Sequence, residues 1–141
     1  MSETVTASAV VYHGAGILIR GAPGAGKSTL ALMLIEDGGR LVSDDRVHLG
    51  ARNGCIIASG HGAVPGMIEL RGRGPVERPF EPSVIVRLVV DCVARDQIER
   101  LPEPDDLTAM LLGLRLPRQP VAANSPVAPM LVCEALSAIC R

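Results

Sequence analysis

The rhythm of apolar and polar positions changes several times along this chain, and each change predicts an element. Residues Val5 to Tyr12 are small or β-branched, as a strand requires. His13-Gly14-Ala15-Gly16 interrupts them with turn chemistry and Ile17 to Arg20 resumes the apolar run, so the spacing predicts a β-hairpin. A Gly-rich loop follows, Gly21 to Gly26. From Ser28 to Glu36 the period lengthens, with Leu30, Ala31, Leu34 and Ile35 at helical spacing, and Gly38-Gly39 ends the helix. Arg40 to Ser43 reads as a short strand running into Asp44-Asp45. Val47 to Leu49 and Cys55 to Ala58 flank Arg52-Asn53-Gly54, whose Asn-Gly pair predicts a second hairpin.

Val64 to Leu70 and Val84 to Val93 are further strand candidates. The proline-rich stretch from Pro75 to Pro82 is excluded from any central strand and is expected as an ordered loop. Pro102-Glu103-Pro104 and the segment from Pro117 to Pro129 are expected to be irregular. Pro129 to Arg141 is expected as a helix opened by proline, with Leu131, Ala135, Leu136 and Ile139 along one side. No repeat interrupts this order. The prediction is one α/β domain spanning residues 1–141, with an early strand–loop–helix unit and a β-rich middle.

Composition narrows the function classes. A chain of 141 residues suffices for a core without disulfide or metal staples. Its 14 Lys and Arg against 15 Asp and Glu leave a net charge of −1, which argues against a dedicated DNA-binding or anionic-membrane protein. Tyr12 and Phe80 supply too little aromatic surface to stack single-stranded nucleic acid. The apolar run Ile85 to Val90 is broken by Arg87 and too short to cross a bilayer. Ser2-Glu3-Thr4 offers no basic segment before a long apolar stretch, so a cytoplasmic protein is expected. Cys55, Cys92, Cys133 and Cys140 show no metal spacing and are expected as buried small hydrophobes.

The chemistry lies in Gly21-Ala22-Pro23-Gly24-Ala25-Gly26-Lys27-Ser28, which fits GxxxxGK[ST] at every fixed position. Glycines let backbone N–H groups turn inward around a phosphate. The following helix aims its positive N-terminal end at the same anion. Lys27 is placed to reach β- and γ-phosphate oxygens, and the Ser28 hydroxyl to complete a Mg²⁺ shell. Asp44 and Asp45, adjacent at a strand end, project in different directions. One can therefore serve a metal while the other faces an acceptor hydroxyl. The sequence thus offers groups for metal binding, charge neutralisation and positioning of a nucleophile, which phosphoryl transfer needs.

In this order Gly16-Ile17-Leu18-Ile19-Arg20-Gly21, the phosphate loop, Arg40 to Val47, and Ile68-Glu69-Leu70-Arg71-Gly72-Arg73-Gly74 resemble the catalytic domain of the HPr kinase/phosphorylase family. Glu99-Arg100-Leu101-Pro102 and Leu116-Pro117-Arg118 look like its short proteobacterial form, which lacks an N-terminal domain. The resemblance implies a PEP-carboxykinase-like P-loop fold: a mixed, β-rich sheet with the P-loop helix and a C-terminal helix. It implies ATP and Mg²⁺ as cofactors and HPr, the phosphocarrier of the sugar phosphotransferase system, as the partner phosphorylated on serine. Reverse dephosphorylation and a homo-oligomer are also implied, the long members being hexamers; nucleic acid and membrane are not.

Carried over residue by residue, the resemblance makes Gly21, Ala22, Pro23, Gly24, Ala25, Gly26, Lys27, Ser28 and Thr29 the nucleotide loop. Ser28 and Glu69 match Mg²⁺ ligands, with Asp44 near the metal. Asp45 matches the residue that takes the serine proton, and Arg71 the signature arginine set to meet phosphate charge. The chain departs from the pattern in places. Thr6 stands where the family has a catalytic histidine, and His13 and His61 lie elsewhere. Thr29 replaces an acidic residue, Arg73 a leucine, and Pro75 follows Gly74. A further arginine-bearing loop has no clear counterpart, leaving Arg115 and Arg118 as the arginines nearby in sequence. Beside a serine kinase, two readings stay open: a nucleotide-binding regulatory module impaired in catalysis, and a small-molecule kinase, for which no Arg-rich lid is evident.

Overall fold

The computed structural model describes residues 1–61 and 64–139. Among these, eleven strands and two α-helices follow one another in the order expected for a mixed α/β chain. Strands β1 (Ser2–Thr6), β2 (Ser8–Tyr12), β3 (Ala15–Gly21) and helix α1 (Lys27–Glu36) open the chain. Strands β4 (Arg40–Ser43), β5 (Arg46–Arg52), β6 (Cys55–Gly60), β7 (Met67–Leu70), β8 (Gly74–Glu77) and β9 (Ser83–Cys92) form the middle. Strands β10 (Thr108–Leu111) and β11 (Leu114–Val121) and helix α2 (Ala128–Ile139) close it. Nine strands make one sheet, ordered β1-β5-β6-β9-β3-β2-β4, with β11 on β9 and β10 on β11. The pairs β3–β9 and β9–β11 are parallel, and the other pairs of this sheet are antiparallel.

Local chemistry accounts for the predicted hairpins. Strands β2 and β3 meet at Tyr12 and Ala15, so the turn is the two residues His13 (φ 51°) and Gly14 (φ 76°). Asn53 (φ 53°) and Gly54 (φ 77°) do the same between β5 and β6. Two successive left-handed residues match the twist of the strands they join. Helix α1 stops where expected: the Gly39 N–H bonds to the Leu34 carbonyl at 2.9 Å and that of Gly38 to Ile35 at 3.0 Å, a Schellman ending. Gly38 takes the left-handed conformation there, at φ 102°.

Four expectations are corrected. Val5 to Tyr12 is two strands, because the chain leaves β5 at Thr6 and joins β3 and β4 from Ser8 onward. The Ala7 N–H bonds to the Asp45 carbonyl at 3.1 Å and fixes the crossover. The proline-rich stretch after Gly74 contains β8, which pairs only with β7, so Pro75 sits in an exposed two-stranded ribbon. Of the segment from Pro117 to Pro129 expected to be irregular, the part up to Val121 belongs to β11, while residues 122–127 are in no strand or helix. Strand β11 pairs with β10 through Pro117 and with β9 from Arg118, so each half leaves one side open for a residue lacking an N–H. Within Val64 to Leu70, only Met67 onward is strand.

Two cores lie on opposite faces of the sheet. Ile17 and Ile19 of β3 point toward α1 and α2 and pack with Leu30, Leu34, Leu88 and Val132. Leu18, between them, points the other way and packs with Val47, Leu49, Ile56 and Val89, where the sheet folds over itself. Strand β9 serves both cores through a bulge: Gly16 faces Val86 and Ile17 faces Leu88, so alternation resets across Arg87. Of the cysteines, Cys92 is buried, whereas Cys55 and Cys133 are half-buried, a partial correction. Cys140 and the Arg141 end of the expected helix lie outside the described residues.

Candidate functional site

Strands β3, β9 and β11 run parallel and end together at Gly21, Cys92 and Val121. Ligands of such sheets gather at the carboxyl ends of the strands, and here the Gly-rich loop emerges there. Gly24 (φ 80°) and Gly26 (φ 98°) bend it into a cradle, and a Cβ on Gly26 would lie 2.8 Å from the Ala123 Cβ. Gly26 is also the N-cap of α1 and offers no side-chain cap. The first N–H groups of that helix are therefore available to an anion. The Lys27 ammonium folds back over the loop, donating to the carbonyls of Gly21 at 2.9 Å and Ala22 at 3.1 Å.

Strand β4 delivers the two carboxylates beneath this helix end. Asp44 Oδ1 accepts from the Ser28 hydroxyl and from the Ser8 hydroxyl, each at 2.8 Å. The Glu69 backbone N–H reaches Asp44 Oδ2 at 3.4 Å, tying β7 to the same carboxylate. Asp45 takes the left-handed conformation at φ 71°. Its side chain consequently leaves the direction of Asp44 and lines the open cleft. That cleft, about 1160 Å³, is bounded by Lys27, Ser28, Asp45, Glu69, Arg71 and Thr6.

The structure thus brings together the residues singled out in the sequence. Pro23, Gly24, Gly26, Lys27, Ser28 and Thr29 face the cleft, and Ala22 and Ala25 face a second cavity on the other side of the loop. Gly21 contributes its carbonyl to Lys27. Thr6 lies in the cleft wall, whereas His13 is exposed in the β2–β3 turn, its ring edge-on to Tyr12 at 4.2 Å. His61 lines a 260 Å³ hollow whose wall Asp44 shares. Arg118 lies outside the cleft: it donates to Asp91 at 2.5 Å and to the Asp106 carbonyl at 2.7 Å. Arg115 is exposed on β11.

Sequence reasoning does not single out Ser8. Its signal was a hydroxyl two residues from Thr6 in an otherwise apolar run, which places both on one face only if the strand is unbroken. Asp91 is a second omission. Arg20 donates to both of its oxygens, at 2.8 and 3.0 Å, and Arg118 to one of them. Burial would raise its pKa, but the two guanidiniums outweigh burial and hold the carboxyl below its ordinary range. Next to it, burial pushes the Cys92 thiol up to about 11, so it stays a neutral wall of the site.

The donor set suits a hard cation. Asp44, Glu69 and the Ser28 hydroxyl are oxygen donors beside a phosphate cradle, and Mg²⁺ is commonly held by one or two carboxylates plus phosphate oxygens. No cluster of three or more His, Cys, Asp or Glu that could cage a metal occurs among the described residues. No helix among them is long and apolar enough to cross a membrane.

Comparison with known proteins agrees with this geometry. The model of the HPr Serine kinase C-terminal domain matches residues 1–135. An HPr kinase/phosphorylase of Prosthecochloris aestuarii is 35% identical over 121 residues, covering 78% of this chain and 35% of its own. That of Bordetella pertussis is 40% identical over 114 residues, covering 72% and 36%. The chain thus spans about a third of the length of these relatives. The solved structure of the Hpr(Ser) kinase/phosphatase from Coxiella burnetii superposes with a TM-score of 0.77 at 26% identity, covering 95% of this chain and 87% of that one. Cradle, paired carboxylates, sheet order and likeness converge, and the chain belongs to the family of HPr serine kinase C-terminal domains.

Proposed function

We propose that this chain is an ATP- and Mg²⁺-dependent serine kinase of the cytoplasm whose acceptor is HPr of the sugar phosphotransferase system. The observation that carries the reading is the division of labour between adjacent carboxylates: Asp44 is held under the phosphate loop by Ser8 and Ser28, while Asp45 is turned into the open cleft. The loop from Gly21 to Thr29 would bind the triphosphate, with Lys27 exchanging its loop carbonyls for β- and γ-oxygens. Ser28, Asp44 and Glu69 would hold Mg²⁺, which supplies neutralisation of phosphate charge. Arg71, at the cleft rim, would add positive charge beside the transferred group.

Asp45 would accept the proton of the incoming serine as the serine oxygen bonds to the γ-phosphorus. The bond from that phosphorus to the bridging oxygen breaks in line, and ADP carries the electron pair away. In the reverse direction an ADP β-phosphate oxygen would take the phosphoryl group back, and Asp45 would return the proton to the departing serine oxygen. The test is the intact mass of HPr after incubation with this protein, Mg²⁺ and ATP. One phosphoryl group is expected, and it must vanish with Lys27→Ala and with an HPr lacking its target serine. Unmodified HPr, with ATP still bound, would sink the reading.

One observation favours a regulatory nucleotide-binding module instead: the cleft wall carries Thr6 and, among the described residues, no histidine. Losing a positioned acid–base partner lowers rates by roughly 10²–10⁴-fold. Under that second reading ATP binds and no phosphoryl group reaches HPr, and Thr6→His is the variant to compare.

A further inference from the structure

Both ends of the phosphate loop are wedged against neighbouring strands. At its start, a Cβ on Gly21 would lie 3.0 Å from Cys92 Cβ and 3.1 Å from the Cys92 carbonyl oxygen, so the loop leaves β3 in contact with the end of β9. At its close, a Cβ on Gly26 would lie 2.8 Å from Ala123 Cβ, in the segment just after β11. A shift of β9 or β11 against β3 therefore reaches the loop with no slack to absorb it. The curvature that turns backbone N–H groups toward a phosphate thus depends on the spacing of three strand ends.

One carboxylate ties those ends together. Asp91 of β9 stands opposite Arg20 of β3 and accepts from its Nε at 2.8 Å and its Nη2 at 3.0 Å. From the other side, Arg118 of β11 donates to Asp91 Oδ2 at 2.5 Å. Arg20 immediately precedes Gly21, and Asp91 immediately precedes Cys92, so this clamp sits one residue below the first wedge. Its two-pronged contact with Arg20 fixes orientation as well as distance. Alternation puts Arg20 with Leu18 and Asp91 with Val89, on the sheet face away from α1. None of the three side chains lines the cleft or the cavity on the far side of the loop. Whatever they do for a ligand passes through the backbone of the loop.

We propose that Asp91 is a positioning residue: by drawing the ends of β3, β9 and β11 together, it holds the Gly21–Ser28 loop at the curvature that binds phosphate. The proposal rests on the reading of that loop as a nucleotide cradle, and it names the group that keeps the cradle in shape. Charge alone predicts the opposite sign. Beyond burial, the Cys92 thiol feels both Lys27 and Asp91, so the carboxylate lies within charge range of the loop. Asp91→Asn removes a negative charge there, which by itself would tighten the binding of a polyanion.

The measurement is the dissociation constant, in Mg²⁺, of inorganic tripolyphosphate and of ATP. Both are expected to bind Asp91→Asn about tenfold more weakly than the parent chain. Asp91→Glu returns a carboxylate to the two guanidiniums and should recover the affinity to within about threefold. Ile56→Ala is the control: it opens the second core on β6, which meets β9 at Ser83–Ile85 rather than at its carboxyl end, and should bind as the parent does. With HPr as acceptor, the KM for ATP should rise in Asp91→Asn while kcat holds, because Asp44 and Asp45 follow β4, outside the clamp.

Unchanged or tighter binding by Asp91→Asn overturns the assignment. So does an equal loss in Ile56→Ala, no recovery in Asp91→Glu, or a fall in kcat with KM unchanged. If Asp91→Asn does not fold, Arg118→Gln takes its place, read in about 0.5 M salt, where its lost charge is screened and the displacement remains. A parent chain that binds neither ligand removes the cradle and the clamp together. A chain that binds both in this pattern and leaves HPr unmodified refutes the kinase reading and keeps the clamp.

Discussion

At the scale of the residue, Asp45 joins backbone strain to chemistry. Its φ of 71° is a conformation that side chains other than Asn and Asp avoid, at roughly 1–2 kcal/mol per residue. Asp45→Asn therefore keeps the fold and removes the proposed base: melting temperature unchanged, phosphoryl transfer down by roughly 10²–10⁴-fold. Asp45→Ala loses the same activity and, in addition, about 1–2 kcal/mol of stability, visible as an earlier denaturant midpoint. Asp91 gives a pH signature. Its pKa is lowered on folding, so its contribution is present above the ordinary aspartate value of 3.8 and is lost as pH falls through the lower folded value. In acid titrations monitored by circular dichroism, the parent chain should lose stability below that point. Asp91→Asn should be weaker by roughly 2–3 kcal/mol at neutral pH and show a shallower acid slope.

At the scale of the element, close approach between β3 and β9 sets the most severe constraint. A Cβ on Gly16 would lie 2.2 Å from the Ile85 carbonyl oxygen, backbone that has no room to give. Gly16→Ala is expected to cost roughly 2–4 kcal/mol, read as a lowered melting temperature, although the site residues are untouched. What was legible at this scale was local. Turn residues Gly14 and Asn53-Gly54 announced their hairpins, and Gly38-Gly39 announced the end of α1. What was illegible depended on distant partners. Leu112-Gly113 makes the same kind of turn between β10 and β11, but a leucine at φ 49° has no turn signature; it stays there because it packs on the second core. Prolines hid β11, since only the partner strands reveal which side of each proline is unpaired. The site was readable as the loop and Asp44-Asp45, whereas Ser8 and the Arg20–Asp91–Arg118 triad emerge only when β2, β3, β9 and β11 meet.

At the scale of the whole molecule, the cleft draws on both ends of the first crossover. Thr6 belongs to β1, paired with β5, and Ser8 to β2, paired with β3 and β4. A ligand held there binds only the assembled chain. At about 100-fold excess over its dissociation constant, Mg·ATP should add about 2.7 kcal/mol, moving the melting temperature up by roughly 5–10 °C. Lys27→Ala should abolish that shift. The crossover at Ala7 has one more consequence. A slip of one residue along either ladder turns Thr6 or Ser8 to the opposite face of its sheet. A slipped β2 leaves Asp44 without the Ser8 donor, and a slipped β1 removes Thr6 from the cleft wall. Misaligned chains can be compact and still lack part of the cleft wall, so counting intact clefts in a preparation counts the molecules whose sheets are correctly threaded.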